Sequence, residues 1–341
     1  MRKNLFFLLF ISIILIFFAN LSFGSVNIPI SAVIDILTGN GAPKASWENI
    51  VLFSRLPQAI TALFAGAAIA CSGLLLQTIF NNPLAGPSIL GIDSGAGLGV
   101  AVTMLILGGT IEGIAGLNTF SGYFAVILSA FIGAGIILGT IILFSTIIKN
   151  NMMLLISGIM IGYLSSAIIS VLNFFASEQN VFAYTIWGMG DFSSISLSML
   201  PIFISLLSVG IILSLLLIKP LNAILLGERY AVNLGVNVSL LRIILFIATG
   251  IMTATTTAFC GPISFIGLAV PHIARMIFQT SNNKTLIPGT LLTGAFIALL
   301  CNFISNCPGK SFVIPLNAIT ALIGAPIIIY VIISQRKFQR N

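Results

Sequence analysis

Charge is what this chain has least of. Its 341 residues carry 14 Lys and Arg, 7 Asp and Glu and a single His, so charged side chains make up 6%, against about 25% in an ordinary soluble domain. A water-facing surface cannot be built from so few charges. That excludes a soluble globular enzyme, a disordered chain and a fibrous repeat. Cysteine is also scarce. Cys71, Cys260, Cys301 and Cys307 show no C-x-x-C spacing, and His272 has no Cys or acidic residue at ligand spacing. No metal site of the usual kind follows from that pattern, and no cofactor. Cys301 and Cys307 are near enough in sequence to pair, but their apolar surroundings fit packing thiols better. The net charge is +7, yet no dense basic cluster with interleaved aromatics points to nucleic acid.

What the chain has in abundance is apolar length. Hydrophobic residues make up 58% and the mean hydropathy is +1.17. A membrane-crossing helix needs about 20 predominantly apolar residues. Ten such stretches occur, at 5–23, 56–80, 89–109, 122–148, 153–176, 195–218, 240–260, 263–279, 286–305 and 312–334. The expected class is all-α: a polytopic membrane helical bundle of about ten transmembrane helices, one membrane domain over residues 1–341. Arg2 and Lys3 before an apolar run also fit a signal peptide. Retention as a first span fits better, because it yields an even count with both termini cytoplasmic.

The distribution of basic residues tests this topology. With the N-terminus inside, Arg2, Lys3, Lys149, Lys219, Arg229, Arg242, Arg275, Lys284, Arg336, Lys337 and Arg340 lie inside. Only Lys44, Arg55 and Lys310 lie outside. An error in the span count would scramble that bias. The main polar segments are then Gly24–Ser54 and Ser177–Ser194 outside, and Lys219–Leu240 inside. Glycines four apart, at Gly91, Gly95 and Gly99, Gly135 and Gly139, and Gly158 and Gly162, fit close helix packing.

Little here could carry chemistry. Gly309-Lys310-Ser311 mimics the tail of a phosphate loop, but the glycine the motif needs upstream is Ile304. Ion coupling would need ionisable groups inside the membrane. Glu112, Asp191 and Arg275 fall near the edges, leaving Asp93 and His272. An ion-gradient-driven secondary transporter centred on Asp93 is the alternative. The inside loop is more informative. Leu225, Leu226, Tyr230, Ala231, Leu234 and Val236 form an apolar face, Glu228, Arg229 and Asn233 a polar one, and Gly227 and Gly235 divide the loop into two short pieces. A helix lying on the membrane and a pair of helices docking into a cytoplasmic partner both fit.

An ordered set of motifs runs along nearly the whole chain from Arg55 onward. It begins with Arg55-Leu56-Pro57-Gln58, Gly66 to Gln77, Asn82-Pro83-Leu84-Ala85-Gly86-Pro87 and Gly95-Ala96-Gly97. It continues through Trp187-Gly188-Met189-Gly190, Leu226-Gly227, Leu234-Gly235-Val236, and Gly261 to Leu268 with Pro271-His272 and Arg275. It ends with Pro288-Gly289, Gly294-Ala295 and Gly324-Ala325-Pro326.

This ordered set resembles the FecCD family of ABC-importer permease subunits, which serve iron–siderophore complexes, haem and cobalamin. The resemblance implies a bacterial cytoplasmic (inner) membrane permease without enzymatic activity of its own. Its partners would be a second copy of itself, two copies of a cytoplasmic ATP-binding subunit and an extracytoplasmic substrate-binding protein. Leu226, Gly227, Glu228, Arg229, Ala231, Leu234, Gly235 and Val236 would form the coupling segment for the ATPase. Asn82, Pro83 and Leu84 would lie at the cytoplasmic gate, faced by Ser145–Met153. Arg55, Gln58, Asn306 and Lys310 would meet the binding protein. His272 would pack and cap, and Pro271 would kink its helix.

The chain also departs from the pattern. Gln58 and Asn306 stand where the family often has Arg, Asn302 where it has Asp, Val313 where it has Glu and Asn317 where it has Gly. Fewer docking charges imply docking that depends less on salt.

Overall fold

A computed structural model describes residues 2–41, 43–106, 120–148, 150–306 and 312–338. In chain order its helices are α1 (Arg2–Ser22), α2 (Ile30–Thr38), α3 (Ala45–Ile50), α4 (Leu56–Ile79), α5 (Ile92–Ala101), α6 (Phe120–Ile147), α7 (Asn151–Phe175) and α8 (Glu178–Gly188). Then follow α9 (Leu200–Leu216), α10 (Ile218–Ile224), α11 (Glu228–Asn233), α12 (Val238–Cys260), α13 (Ile266–Phe278), α14 (Asn283–Ser305) and α15 (Leu316–Phe338). The described residues contain no strand. A helix satisfies its own backbone, which is what a hydrocarbon surrounding demands.

Six helices are long and apolar enough to cross a membrane: Lys3–Ser22, Ala45–Ile79, Gly122–Ile147, Asn151–Phe175, Val238–Cys260 and Asn283–Ser305. A seventh crossing arises if α9 and α10, bent by 53°, count as one. Ile92–Ile106, Ile266–Phe278 and Leu316–Val331 are shorter apolar helices. A count of ten therefore requires these three as well. Two are shortened by interruptions: Gly91 and Gly261 take φ of +75° and +71° and start their helices late. The 13 residues of α13 reach about 20 Å at 1.5 Å per residue, short of a core about 30 Å thick. At the other extreme, the span expected from residue 56 begins at Ala45. A π-helical turn over Val51–Arg55 joins α3 to α4 into one 35-residue helix.

The centre of the bundle is α4, buried along most of its length and packed by α9, α12, α13 and α14. Its small residues are the reason. Gly73 lies directly on the backbone of Gly267 in α13, and Gly66 lies on Gly294 and Ala298 in α14. A Cβ at either position would overlap a neighbouring carbonyl. Gly95 and Gly99 of α5 meet Gly133 and Ser129 of α6 in the same manner, and Gly158 of α7 meets Ile89 and Leu90. Gly135 and Gly139 face open space, so four-residue spacing marks packing at some pairs only. The first helix is integral to the bundle. Asn20 bonds the Leu299 carbonyl at 3.1 Å and accepts from Asn302 at 2.8 Å, and Phe6 stacks on Phe278.

These contacts sort the polar segments into two ends. Residues 77–84, 150–151, 222–242 and 272–284 bond one another at one end. Residues 20–26 and 55 lie toward the other, as do 188–191, 260–264 and 317. The grouping matches the inside and outside assigned from basic residues.

Gly73→Ala should cost about 1–3 kcal/mol, because the clash is with backbone that cannot repack. Gly135→Ala should stabilise by up to about 1 kcal/mol through helix propensity. Thermal unfolding of the detergent-solubilised chain checks both; equal effects would refute the packing assignment.

Candidate functional site

The inside loop folds as two short helices, broken where φ turns positive. Gly227 has φ +108° and Gly235 φ +84°. Leu226, Tyr230, Val232 and Leu234 point to solvent, Leu226 with 65% and Leu234 with 59% of its surface exposed. Ala231 is fully buried and pins α11 to the bundle. Arg229 is exposed and Val236 half-buried. Glu228 stays exposed, but its carboxylate reaches back to the bundle. It accepts from Arg242 Nη2 of α12 at 2.5 Å and from Asn151 Nδ2 of α7 at 3.2 Å. Asn151 Nδ2 also donates to the Ile79 carbonyl of α4 at 3.3 Å. One short helix is thus tied to three long ones. Asn222 of α10 bonds Asn282 and accepts from the Asn283 amide, which ties the other piece to α14. Arg242 and Asn151 are functional neighbours that sequence reasoning did not single out.

At the same end, α4 gives way to the segment 80–86. Asn82 Oδ1 accepts from the Leu84 amide at 2.9 Å, forming a local turn. Leu84 is partly exposed. His272 Nε2 lies 2.8 Å from the Pro83 carbonyl; since a carbonyl only accepts, the imidazole donates. Gln77 links two helices, giving its Nε2 hydrogen to Leu268 at 3.1 Å and accepting from Arg275 Nη1 at 2.6 Å. His272 therefore holds the 82–84 turn against α13. Asn150 caps α7 by accepting from the amides of Met152 and Met153, and Lys149 lies outside the described residues.

Asp93 belongs to a different place. Its Oδ1 accepts from Thr257 at 2.8 Å and its Oδ2 from Ser88 at 2.7 Å, joining the turn before α5 to α12. A cavity of about 230 Å3 opens there, walled by Gly86–Ile89 on one side and Ile263–Phe265 on the other. The two similar stretches beginning Gly-Pro at residues 86 and 261 thus face each other.

The residues expected to meet a binding protein are arranged otherwise. Arg55 is 8% exposed. Its Nη1 donates to Leu21 and Ser22 at 2.8 and 3.0 Å, and its Nη2 to Val26 at 2.5 Å. The guanidinium caps the carbonyls where α1 ends and is not free for a surface contact. Gln58 is buried. Asn306 bonds its own helix at the Asn302 carbonyl. Lys310, like Glu112 and Cys307, lies outside the described residues; Cys301 is a buried free thiol.

Asn317 was visible in sequence only as a departure. Its Nδ2 donates to Gly188 and Pro262 at 3.1 and 2.8 Å, and its Oδ1 accepts from the Ser264 amide at 3.0 Å. It clamps the end of α8 to the extended segment before α13.

An apolar bundle whose partly exposed loop is braced against its long helices has the architecture of a membrane permease. A family model described as the FecCD transport family matches residues 11–334. The vitamin B12 import system permease protein BtuC of Salmonella typhi is 33% identical over 294 residues, 86% of each chain. Its counterpart from Citrobacter koseri is 32% identical over the same share. A solved inward-facing metal-chelate type ABC transporter superposes with a TM-score of 0.83 at 27% identity, covering 97% of this chain and 99% of that one. PsaBC from Streptococcus pneumoniae in complex with Fab matches at a TM-score of 0.52 and 16% identity, a likeness of fold alone.

The chain belongs to the FecCD transport family. It is a multi-pass inner-membrane permease subunit of an ABC importer, working with an ATPase and a binding protein. Membership removes the ion-driven carrier from consideration.

Arg55→Lys should lower stability by about 2–4 kcal/mol, because three tetrahedral donors on one nitrogen do not reproduce the planar fork that spans these three carbonyls, and an unpaired buried acceptor costs about 1–3 kcal/mol. Affinity for the binding protein should stay unchanged. A calorimetric scan and a binding titration separate the two; weaker binding at full stability would restore Arg55 to the interface.

Proposed function

We propose that this permease moves a bulky metal-chelate ligand of the cobalamin, haem or iron–siderophore class. We further propose that the whole chain acts as one membrane domain and that two copies form the path, each seated on one ATPase subunit. The ligand class rests on the relatives: vitamin B12 permeases across 86% of the chain and a metal-chelate type transporter across 97%. The dimer is supported by α7. Met152, Ile156, Met160, Tyr163, Leu164 and Ile168 form a row left exposed by the described residues. Ser166 and Ser170 are exposed on the same helix, and small polar residues favour close helix contact over bare lipid.

The observation that carries the coupling assignment is the loop at 225–236. It offers exposed leucines outward while Glu228 and Ala231 hold it to the bundle. An exposed apolar patch fixed to rigid elements fits a partner's groove. When the ATPase subunits close, the loop carries their motion to α4, α7 and α12, and the bundle alternates between outward-open and inward-open states. Asn82, Pro83 and Leu84 act as the inner gate, latched by His272. On the outer face the binding protein meets the 23–50 segment and the end of α14. Ile30, Ile34, Asp35, Lys44 and Glu48 are among its exposed residues, in place of the buried Arg55 and Gln58.

Leu226→Asp and Leu234→Asp should each weaken co-purification of the ATPase about tenfold or more, with folding unchanged because both side chains face water. Replacing Gly235, held at positive φ, with a bulky residue should uncouple ATP hydrolysis from uptake. A permease that retains its ATPase and transports normally with these changes would refute the coupling role.

A further inference from the structure

A second cavity, of about 280 Å3, lies between the gate turn and the coupling loop. Asn81, Asn82, His272, Arg275, Ser281 and Leu225 help to wall it. The polar members carry the argument. Arg275 has five N–H donors, and a single side-chain bond, to Gln77, engages it. Among the described residues the one ion pair is Arg242–Glu228, so no carboxylate neutralises Arg275. No acidic residue lines the cavity. Ser281 comes just before Asn282, the N-cap of the 23-residue α14, whose dipole is positive at that end. The exposed Lys284 sits in the same first turn. Arg275 is the one fixed charge among the residues that line this void.

A cationic group partly withdrawn from water is expensive unless it meets an anion. The cavity opens at the end assigned to the cytoplasm, where the inner leaflet presents phosphate groups. We infer that it binds a phosphate-bearing anion, held by the spare donors of Arg275 together with the amide and hydroxyl groups of Asn81, Asn82 and Ser281. A phospholipid headgroup and free phosphate share that chemistry. Leu225 belongs to the coupling loop and Asn82 to the gate turn, so the occupant touches both. Occupancy would stabilise their mutual arrangement and bias the coupling of ATP hydrolysis to uptake. The inference rests on the proposed orientation of this end and on the proposed roles of the two segments.

The test uses the full chain, delipidated in neutral detergent. Thermal unfolding is followed against inorganic phosphate, and against phosphatidylglycerol with phosphatidylcholine as control. Native mass spectrometry counts the lipid retained. One phosphatidylglycerol per chain, with a raised melting temperature that phosphatidylcholine does not produce, is the expected result. Arg275→Gln should weaken the effect about tenfold or more, the scale of a charge-assisted hydrogen bond. Ser281→Phe fills the cavity while leaving the Arg275–Gln77 bond in place, and should do the same if Arg275→Gln fails to fold. Stabilisation by inorganic phosphate alone identifies a free anion; stabilisation by the lipid alone identifies a headgroup. No stabilisation of the unaltered chain by either probe, or unchanged binding in both variants, overturns the inference. ATPase co-purification is measured on the same preparations. Its loss would count against the proposed function, whereas its presence without anion binding would sink the anion site alone.

Discussion

Every backbone N–H and carbonyl inside a hydrocarbon layer must find a partner within the protein, and this structure depends on how that rule is met where helices stop. Each unsatisfied group costs several kcal/mol in lipid. Long helices meet the rule by themselves. The broken segments at 80–91 and 261–265 do not, nor does the end of α1. Side chains repair each of them. Arg55 takes the carbonyls of Leu21, Ser22 and Val26. Asn317 takes those of Gly188 and Pro262 and the amide of Ser264. Gln77 takes Leu268 and His272 takes Pro83. Four polar side chains are thus placed to close breaks in the helical backbone.

A second consequence of the lipid surroundings explains why glycine and alanine crowd α4. No hydrophobic force draws apolar helices together in lipid, so contact depends on close packing. Gly66 and Gly73 let α13 and α14 approach to backbone contact, and Ala59, Ala62, Ala65, Ala68 and Ala70 fill the remaining interface without exposure. A helix packed this tightly on several sides moves as a unit with its neighbours. The less buried α1 and α7 form the periphery.

Much of this was legible beforehand. Composition alone excluded a soluble fold, apolar length marked most of the long helices within a few residues, and Gly227 and Gly235 divided the coupling loop where the chain does turn. What sequence hid was direction. Arg55 lies beside an outside loop, and nothing in its spacing says that its guanidinium points inward to a helix end. Glu228 sat on an amphipathic pattern as a surface residue, yet faces Arg242, 14 positions away. Helix lengths also escaped, because a π turn extended one span and positive-φ glycines shortened two. Asn317 illustrates a middle case. Its difference from the family pattern drew notice, but its three bonds depend on segments 55 and 129 residues distant.

The cytoplasmic end combines these themes in one joint. Glu228, Arg242 and Asn151 connect the coupling loop to α12 and α7, and Asn151 reaches the last turn of α4. Two residues before that carbonyl, Gln77 engages α13, whose His272 holds the gate turn. The central ion pair is unequal: the Arg242 side chain is 8% exposed and that of Glu228 44%. A fully buried pair would be costly to separate, and a fully exposed one would transmit little. A pair with one partner in water can part and re-form as the bundle changes state. That asymmetry suits the coupling role proposed for the loop, with the exposed half on the loop and the buried half in the long helix.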